Sequence, residues 1–269
     1  MADGPAAPSV VGFVTSSTTR EAVVRELDGE TLTTQALCDR IDASESGVYA
    51  ATSALQSRGV IAIDADTDRE CRLTGVGAIV ADAVGRRRAL ETLVQSAETY
   101  WQRHDPTALP GPFRSRLHAL ADAEVYRADE TDPSGVLRRI RAGLEAAERV
   151  AVVTPVHLPE LGETLRETCS DSDGRLIVTE AVIEHVRQHE GGVVPLPERL
   201  SVRVADVDYA LAVADEIFLS LPLLDGGYDP QTELIGRDAD VRRWGRNLFE
   251  WTWRRAEPLS ERGVPTEPL

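Results

Sequence analysis

Residues 17–76 read STTREAVVRELDGETLTTQALCDRIDASESGVYAATSALQSRGVIAIDADTDRECRLTGV, and their pattern decides the fold. Ser17–Leu27 places Ala22, Val23 and Leu27 on an apolar side and stops at Asp28-Gly29. Thr33–Ile41 predicts a second short helix, with Thr33 or Thr34 as N-cap and Leu37, Cys38 and Ile41 on one face. Ser44–Arg58 predicts a third, capped by Ser44 and ended by Gly59, with Val48, Ala51 and Leu55 as its buried stripe. Val60–Asp64 and Arg69–Thr74 follow as strands joined by the polar tip Ala65-Asp66-Thr67-Asp68. Three helices and then a hairpin is the order of a winged helix-turn-helix, whose third helix enters the major groove of DNA.

That third helix therefore supplies the candidate DNA contacts. Ser44, Glu45, Ser46, Tyr49, Thr52, Ser53 and Gln56 are its expected exposed residues, offering hydroxyls and an amide to bases and phosphates. Glu45 suits cytosine N4 but repels phosphate. Arg58 closes the helix, and Arg40, Arg69 and Arg72 are placed to line one side. Charge argues the other way. Residues 1–100 hold nine arginines against fifteen acids, whereas counterion release normally favours a basic DNA-binding surface. At molar salt that release contributes little, so shape, hydrogen bonds and local sign must carry affinity. The competing reading is a winged helix used for protein contacts.

Working outward, 269 residues accommodate one large domain or two ordinary ones, and a 42% apolar content is enough for a core. All 29 basic residues are arginine and none is lysine; against them stand 45 acids, for a net charge of −16. Such a surface looks like that of a cytoplasmic protein from a salt-loving archaeon. The missing lysine excludes a Walker A loop, a Schiff-base lysine and a kinase lysine. Cys38, Cys71 and Cys169 are far apart, so neither a structural zinc site nor a disulfide framework is expected. No 18-residue apolar run or leader pattern occurs, which points to the cytoplasm and to no membrane partner.

The remaining chain predicts an α/β (α+β) organisation. Residues 1–10 form a tail, expected to be disordered, and 11–76 the winged helix. A linking or dimerisation helix follows over 77–104, running from Ala78 to His104 and carrying Arg86-Arg87-Arg88. Residues 105–112 (DPTALPGP) hold three prolines and a glycine and read as a helix-free connector. Residues 113–259 form the second domain, and 260–269 a tail. In that domain Phe113–Ala121, Pro133–Arg149, Leu158–Cys169, Glu180–His189 and Ala239–Ala256 predict helices. Glu124–Arg127, Val150–Thr154, Arg175–Thr179, Leu200–Ala205, Tyr209–Ala214, Glu216–Leu221 and Glu233–Ile235 predict strands of a mixed sheet.

Other motifs carry less. Three consecutive arginines span roughly 200° of a helix, so at most two face one groove, and Arg86–Arg88 read as a solvated or ion-paired face. His185 and His189 sit at i,i+4 beside Glu184 and Glu190, without the order of a zinc hydrolase, so no metal is assigned. Trp244, Leu248 and Trp251 share a stripe that suits core or interface. Thr154, His157, Thr179 and Glu180 follow strand ends, where open α/β sheets bind ligands, and form a candidate rim for a small-molecule effector. No GxSxG or other nucleophile arrangement occurs; no catalytic residue, metal or cofactor is expected.

The chain resembles archaeal winged-helix transcription regulators carrying the methanogenesis-regulatory middle domain. The resemblance rests on the winged helix, on LHALADAEVYRADETDP (Leu117–Pro133), on RVAVVTPVHLPEL (Arg149–Leu161) and on WGRNLFEWTWRRAEPL (Trp244–Leu259). It implies a DNA-binding repressor or activator, without enzymatic chemistry, whose second domain senses an effector or dimerises. The second half also looks like a phospholipase-D-type fold, but that reaction needs a His-x-Lys pair, impossible here. The partners expected are double-stranded DNA, a second copy in a homodimer and a small-molecule effector.

Overall fold

A computed structural model of the chain describes residues 9–64, 66–67, 69–189, 194–262 and 266–268, which divide into two units between Ala89 and Leu90. Residues 1–8 of the tail expected over 1–10, residues 263–265 and 269 of the tail expected over 260–269, the wing-tip residues Ala65 and Asp68, and Glu190 lie outside the described residues.

The first unit begins with α1 (Val10–Thr15), a helix not expected from the sequence, whose first residue falls in the expected tail. Ser9 caps it by accepting from the Gly12 amide at 3.1 Å, and Val14 is fully buried. Six residues are too few for a helical period to show, so packing decides this element. Next come α2 (Thr18–Glu26), β1 (Leu32–Thr33), α3 (Thr34–Arg40), α4 (Glu45–Ser57), β2 (Ile61–Asp64) and β3 (Glu70–Leu73). Hydroxyl caps start the helices: Ser44 accepts from Gly47 as expected, Thr33 and not Thr34 accepts from Ala36, and Ser17, for which no cap was expected, accepts from Arg20. Two-residue β1 was missed; it pairs antiparallel with β3, Leu32 opposite Cys71, to give the order β1-β3-β2. Val23, Val24, Leu37, Val48, Leu55 and Ile61 fill the core with Val80 and Val84 from the next helix.

That helix, α5 (Gly75–Ser96), starts three residues before the expected Ala78 and stops eight short of His104. Gly77 must lack a side chain, since a Cβ there would stand 2.1 Å from the Val60 carbonyl oxygen. At its end Ser96 Oγ and Trp101 Nε1 both donate to the Leu93 carbonyl, at 3.0 and 2.9 Å. Ala97 leaves helical geometry with φ −149°, and α6 (Glu98–Trp101) follows as a separate turn. Within the supposedly helix-free connector, a 3₁₀ turn forms over Pro106–Ala108 and α7 over Gly111–Arg114; each puts proline in its first two positions, where no amide is needed.

The second unit continues with β4 (Glu124–Arg127), α8 (Gly135–Glu145), β5 (Val150–Thr154), α9 (Pro159–Asp171), β6 (Gly174–Val178), α10 (Glu180–His189) and β7 (Val194–Leu196). Then come β8 (Leu200–Val204), β9 (Ala210–Val213), β10 (Ile217–Ser220), β11 (Thr232–Gly236), α11 (Ala239–Trp253), β12 (Glu257–Pro258) and β13 (Thr266–Pro268). An eight-stranded mixed sheet runs β12-β8-β6-β5-β9-β10-β11-β4. Its β8, β6 and β5 are parallel and the remaining pairs antiparallel. Alternation splits β5 between faces: Val150 and Val152 pack with α8 and α9, Ala151 and Val153 with Trp244, Leu248 and Phe249 of α11. Part of the expected terminal tail is ordered, since β13 pairs parallel with β7. Toward the β11 end Glu233 is buried; its Oε1 accepts from Ser220 at 3.3 Å, and burial holds the carboxyl well above the usual range.

Candidate nucleic-acid interface

The helix-turn-helix is α3, the turn through Ile41–Ser44, and α4. Val48, Ala51 and Leu55 anchor α4 to the core, which leaves Ser44, Glu45, Ser46, Tyr49, Ser53 and Gln56 exposed on its other side. Tyr49 is 41% exposed, far more than a core aromatic. Thr52 is a correction. It is fully buried, and its hydroxyl is spent on the Val48 and Tyr49 carbonyls at 3.1 and 3.0 Å, so it reaches no base. It lies four residues from Val48 and three from Leu55, on the anchored stripe. Ala50, missed by sequence reasoning because alanine merely reads as a helix former, is also exposed on the free side.

The arginines separate by what they touch. Arg69 takes a left-handed φ of +59°, uncommon for a side chain with a Cβ, and its guanidinium stands 5.8 Å from the Tyr49 ring centroid. Thr34, from α3, donates its hydroxyl to the Arg69 carbonyl at 3.3 Å, tying the wing to the helix pair. Arg72, opposite Ala62 in the β2–β3 ladder, is exposed. Arg58 instead lies over the Phe13 ring at 4.6 Å, with Arg20 at 4.1 Å from the same ring. Arg40 is held by Glu30 at 2.5 Å. Of the arginine run, Arg87 and Arg88 pair with Glu21 at 2.6 and 3.8 Å, the ion-paired face expected. Arg69 and Arg72 are thus the arginines of the wing, with Arg69 beside Tyr49 of α4.

In the second unit, α9 and α10 stand apart over the sheet and leave a cavity of about 220 Å³. Thr154 and His157 line it; Thr179 and Glu180 do not. Thr179 instead accepts from the Val182 amide at 3.4 Å, as the strand-to-helix turn requires, and Glu180 occupies the first turn of α10. Leu161, Leu165, Leu176, Val182, Ile183 and Arg166 complete much of the wall, residues with no signal in the sequence because a gap between helices has no periodicity. His185 stacks on His189 at 4.3 Å and lies 5.0 Å from His157, centroid to centroid. Among the described residues no group of three or more histidine, cysteine or carboxylate side chains is placed to hold a metal ion. Trp244 and Trp251 pack edge-on against Phe113, within the unit's own core. Among the described residues no helix is long and apolar enough to cross a membrane.

Residues 133–255 match the middle domain of methanogenesis regulatory protein FilR1, and residues 9–97 match the HVO_A0261 N-terminal domain. No curated protein matches the chain in sequence. Among solved structures, TrmBL2, described as an archaeal chromatin protein with a novel mode of DNA binding, aligns at 15% identity and a TM-score of 0.39, covering 89% of this chain and 92% of that one. NucT from Helicobacter pylori aligns at 9% identity and a TM-score of 0.40, covering 51% and 98%. The adhesin competence repressor AdcR from Streptococcus pyogenes aligns at 21% identity and a TM-score of 0.28, covering 32% and 66%.

Proposed function

We propose that the chain, whose residues 133–255 match the middle domain of methanogenesis regulatory protein FilR1, binds double-stranded DNA through α4 and the β2–β3 wing. On this reading Ser44, Ser46, Tyr49, Ser53 and Gln56 meet the major groove, and Arg69 and Arg72 meet the flanking phosphates. The observation that carries the reading is the polar side of α4 joined to the wing through Tyr49 and Arg69. A small molecule entering the α9–α10 cavity then changes the fit of two such units on a two-fold operator, without enzymatic chemistry. Exposed apolar residues on α5 support self-association: Val76 and Ile79 in the first unit, Leu90 and Val94 in the second. The cytoplasm is the compartment that this partner implies.

Fluorescence anisotropy on the protein's own promoter region, in concentrated potassium chloride, tests the DNA reading. With two arginines per subunit on phosphates, the logarithm of affinity should fall against that of salt with a slope of about −2 per subunit. Binding that survives Tyr49→Ala with Arg69→Ala would remove α4 from the interface. The deficit of arginine in residues 1–100 favours a second reading, a winged helix that docks on another protein; absence of any specific DNA binding in the same titration would select it. Sedimentation as a monomer with and without operator DNA would dispose of the two-fold arrangement.

A further inference from the structure

We propose that the α9–α10 cavity takes a small monoanionic acid with an apolar body, its carboxylate held by Arg166; this rests on reading the cavity as the effector site. Leu176 lies in β6 between β5 and β8, a position that a parallel sheet covered by helices would bury. Leu176 and its neighbour Val202 in β8 nonetheless stay partly exposed, because α9 and α10 do not close over them. The opening, about 220 Å³, lies between a benzene-sized cavity of about 150 Å³ and the 300 Å³ at which drug-sized sites begin, so the occupant has about ten non-hydrogen atoms.

Polarity in that wall is concentrated. Thr154 already donates its hydroxyl to the Val156 carbonyl at 2.7 Å, which leaves His157, Glu163 and Arg166 as the titratable groups facing the space. Glu163 is exposed. Arg166 is half-buried, and among the described residues it has no ion pair, hydrogen bond or ring contact. That is unusual in a chain whose acids exceed its arginines by sixteen, where Arg40, Arg87, Arg138, Arg175 and Arg237 all find carboxylates. Its guanidinium runs back along α9 over Gly162, where a Cβ would stand 4.0 Å from Nη1. This brings the charge to the first turn of α9, whose residues Leu158, Pro159 and Leu161 also line the cavity. A cation that is half out of water and has no anion among the described residues accepts one from a ligand, and a guanidinium grips a carboxylate through paired hydrogen bonds.

Calorimetric titration of the full chain with phenylacetate, its neutral isostere phenylacetamide and the cation phenethylamine tests this. Phenylacetate should bind tightest. Arg166→Gln should weaken it about tenfold and leave phenylacetamide unchanged. Val182→Trp, which fills the space, should abolish both while the circular dichroism and melting of the chain stay those of a folded protein. If phenylacetamide or phenethylamine binds as tightly as phenylacetate, the acid is overturned and the cavity stands. If none of the three binds, or if Val182→Trp leaves binding intact, the reading of the cavity as effector site fails with it.

Discussion

The outer side of α4 and the gap between α9 and α10 meet the outside in opposite ways. The first is a close-packed helix whose Val48 and Leu55 are fully buried, so its other side shows hydroxyls, an amide and Tyr49 in one fixed geometry. The second is a gap over the sheet, lined by apolar residues and by Arg166, which has no partner among the described residues. A surface for reading another rigid molecule is made by completing a core; a place for a small molecule is made by leaving one unfinished.

Truncation in the two places should separate them most strongly. Leu55→Ala should cost about 3 kcal/mol in urea unfolding, since a fully buried leucine leaves a cavity behind. Leu176→Ala, beside space that already exists, should cost about half as much; equal losses would mean that the gap closes in solution. Next in size, Tyr49→Ala combined with Arg69→Ala should lower operator affinity by about 2 kcal/mol, roughly thirtyfold, by anisotropy. The same pair should leave phenylacetate binding untouched.

Glu233 sharpens the contrast from within the second unit, where the far end of the same sheet is sealed. Its carboxyl is held protonated in the folded chain by burial. As pH rises past the ordinary glutamate range the unfolded chain releases that proton and the folded chain keeps it. Stability from this group is therefore complete in acid and falls toward the raised folded value, by about 1.4 kcal/mol per pH unit. Glu233→Gln should remove that slope from unfolding curves taken as pH rises past the ordinary glutamate range. The smallest expected effect is Arg58→Ala: with its guanidinium laid over Phe13, its loss should change operator affinity less than twofold, and a tenfold loss would return Arg58 to the interface.

Reading residues in order found the hydroxyl cap at Ser44, narrowed that of α3 to Thr33 or Thr34, and gave the α4 stripe and strands β4 and β5 to the residue. It erred where the deciding contact is distant. The long helix ends at Ser96 because Trp101 folds back onto Leu93, and Thr52 turns inward to bond its own helix. Thr179, though it follows a strand as Thr154 does, is a helix cap and not a cavity wall.

By itself, then, the amino-acid sequence determined the winged helix, the parallel strands and the acidic, lysine-free character, because caps, turns and apolar periods act over a few neighbouring residues. Only the tertiary structure decided that Arg69 and not Arg58 stands beside Tyr49, and that Arg166 faces an opening over Leu176. Those outcomes depend on how a wing folds back and how far apart two helices settle, and spacing along the chain carries no record of either distance.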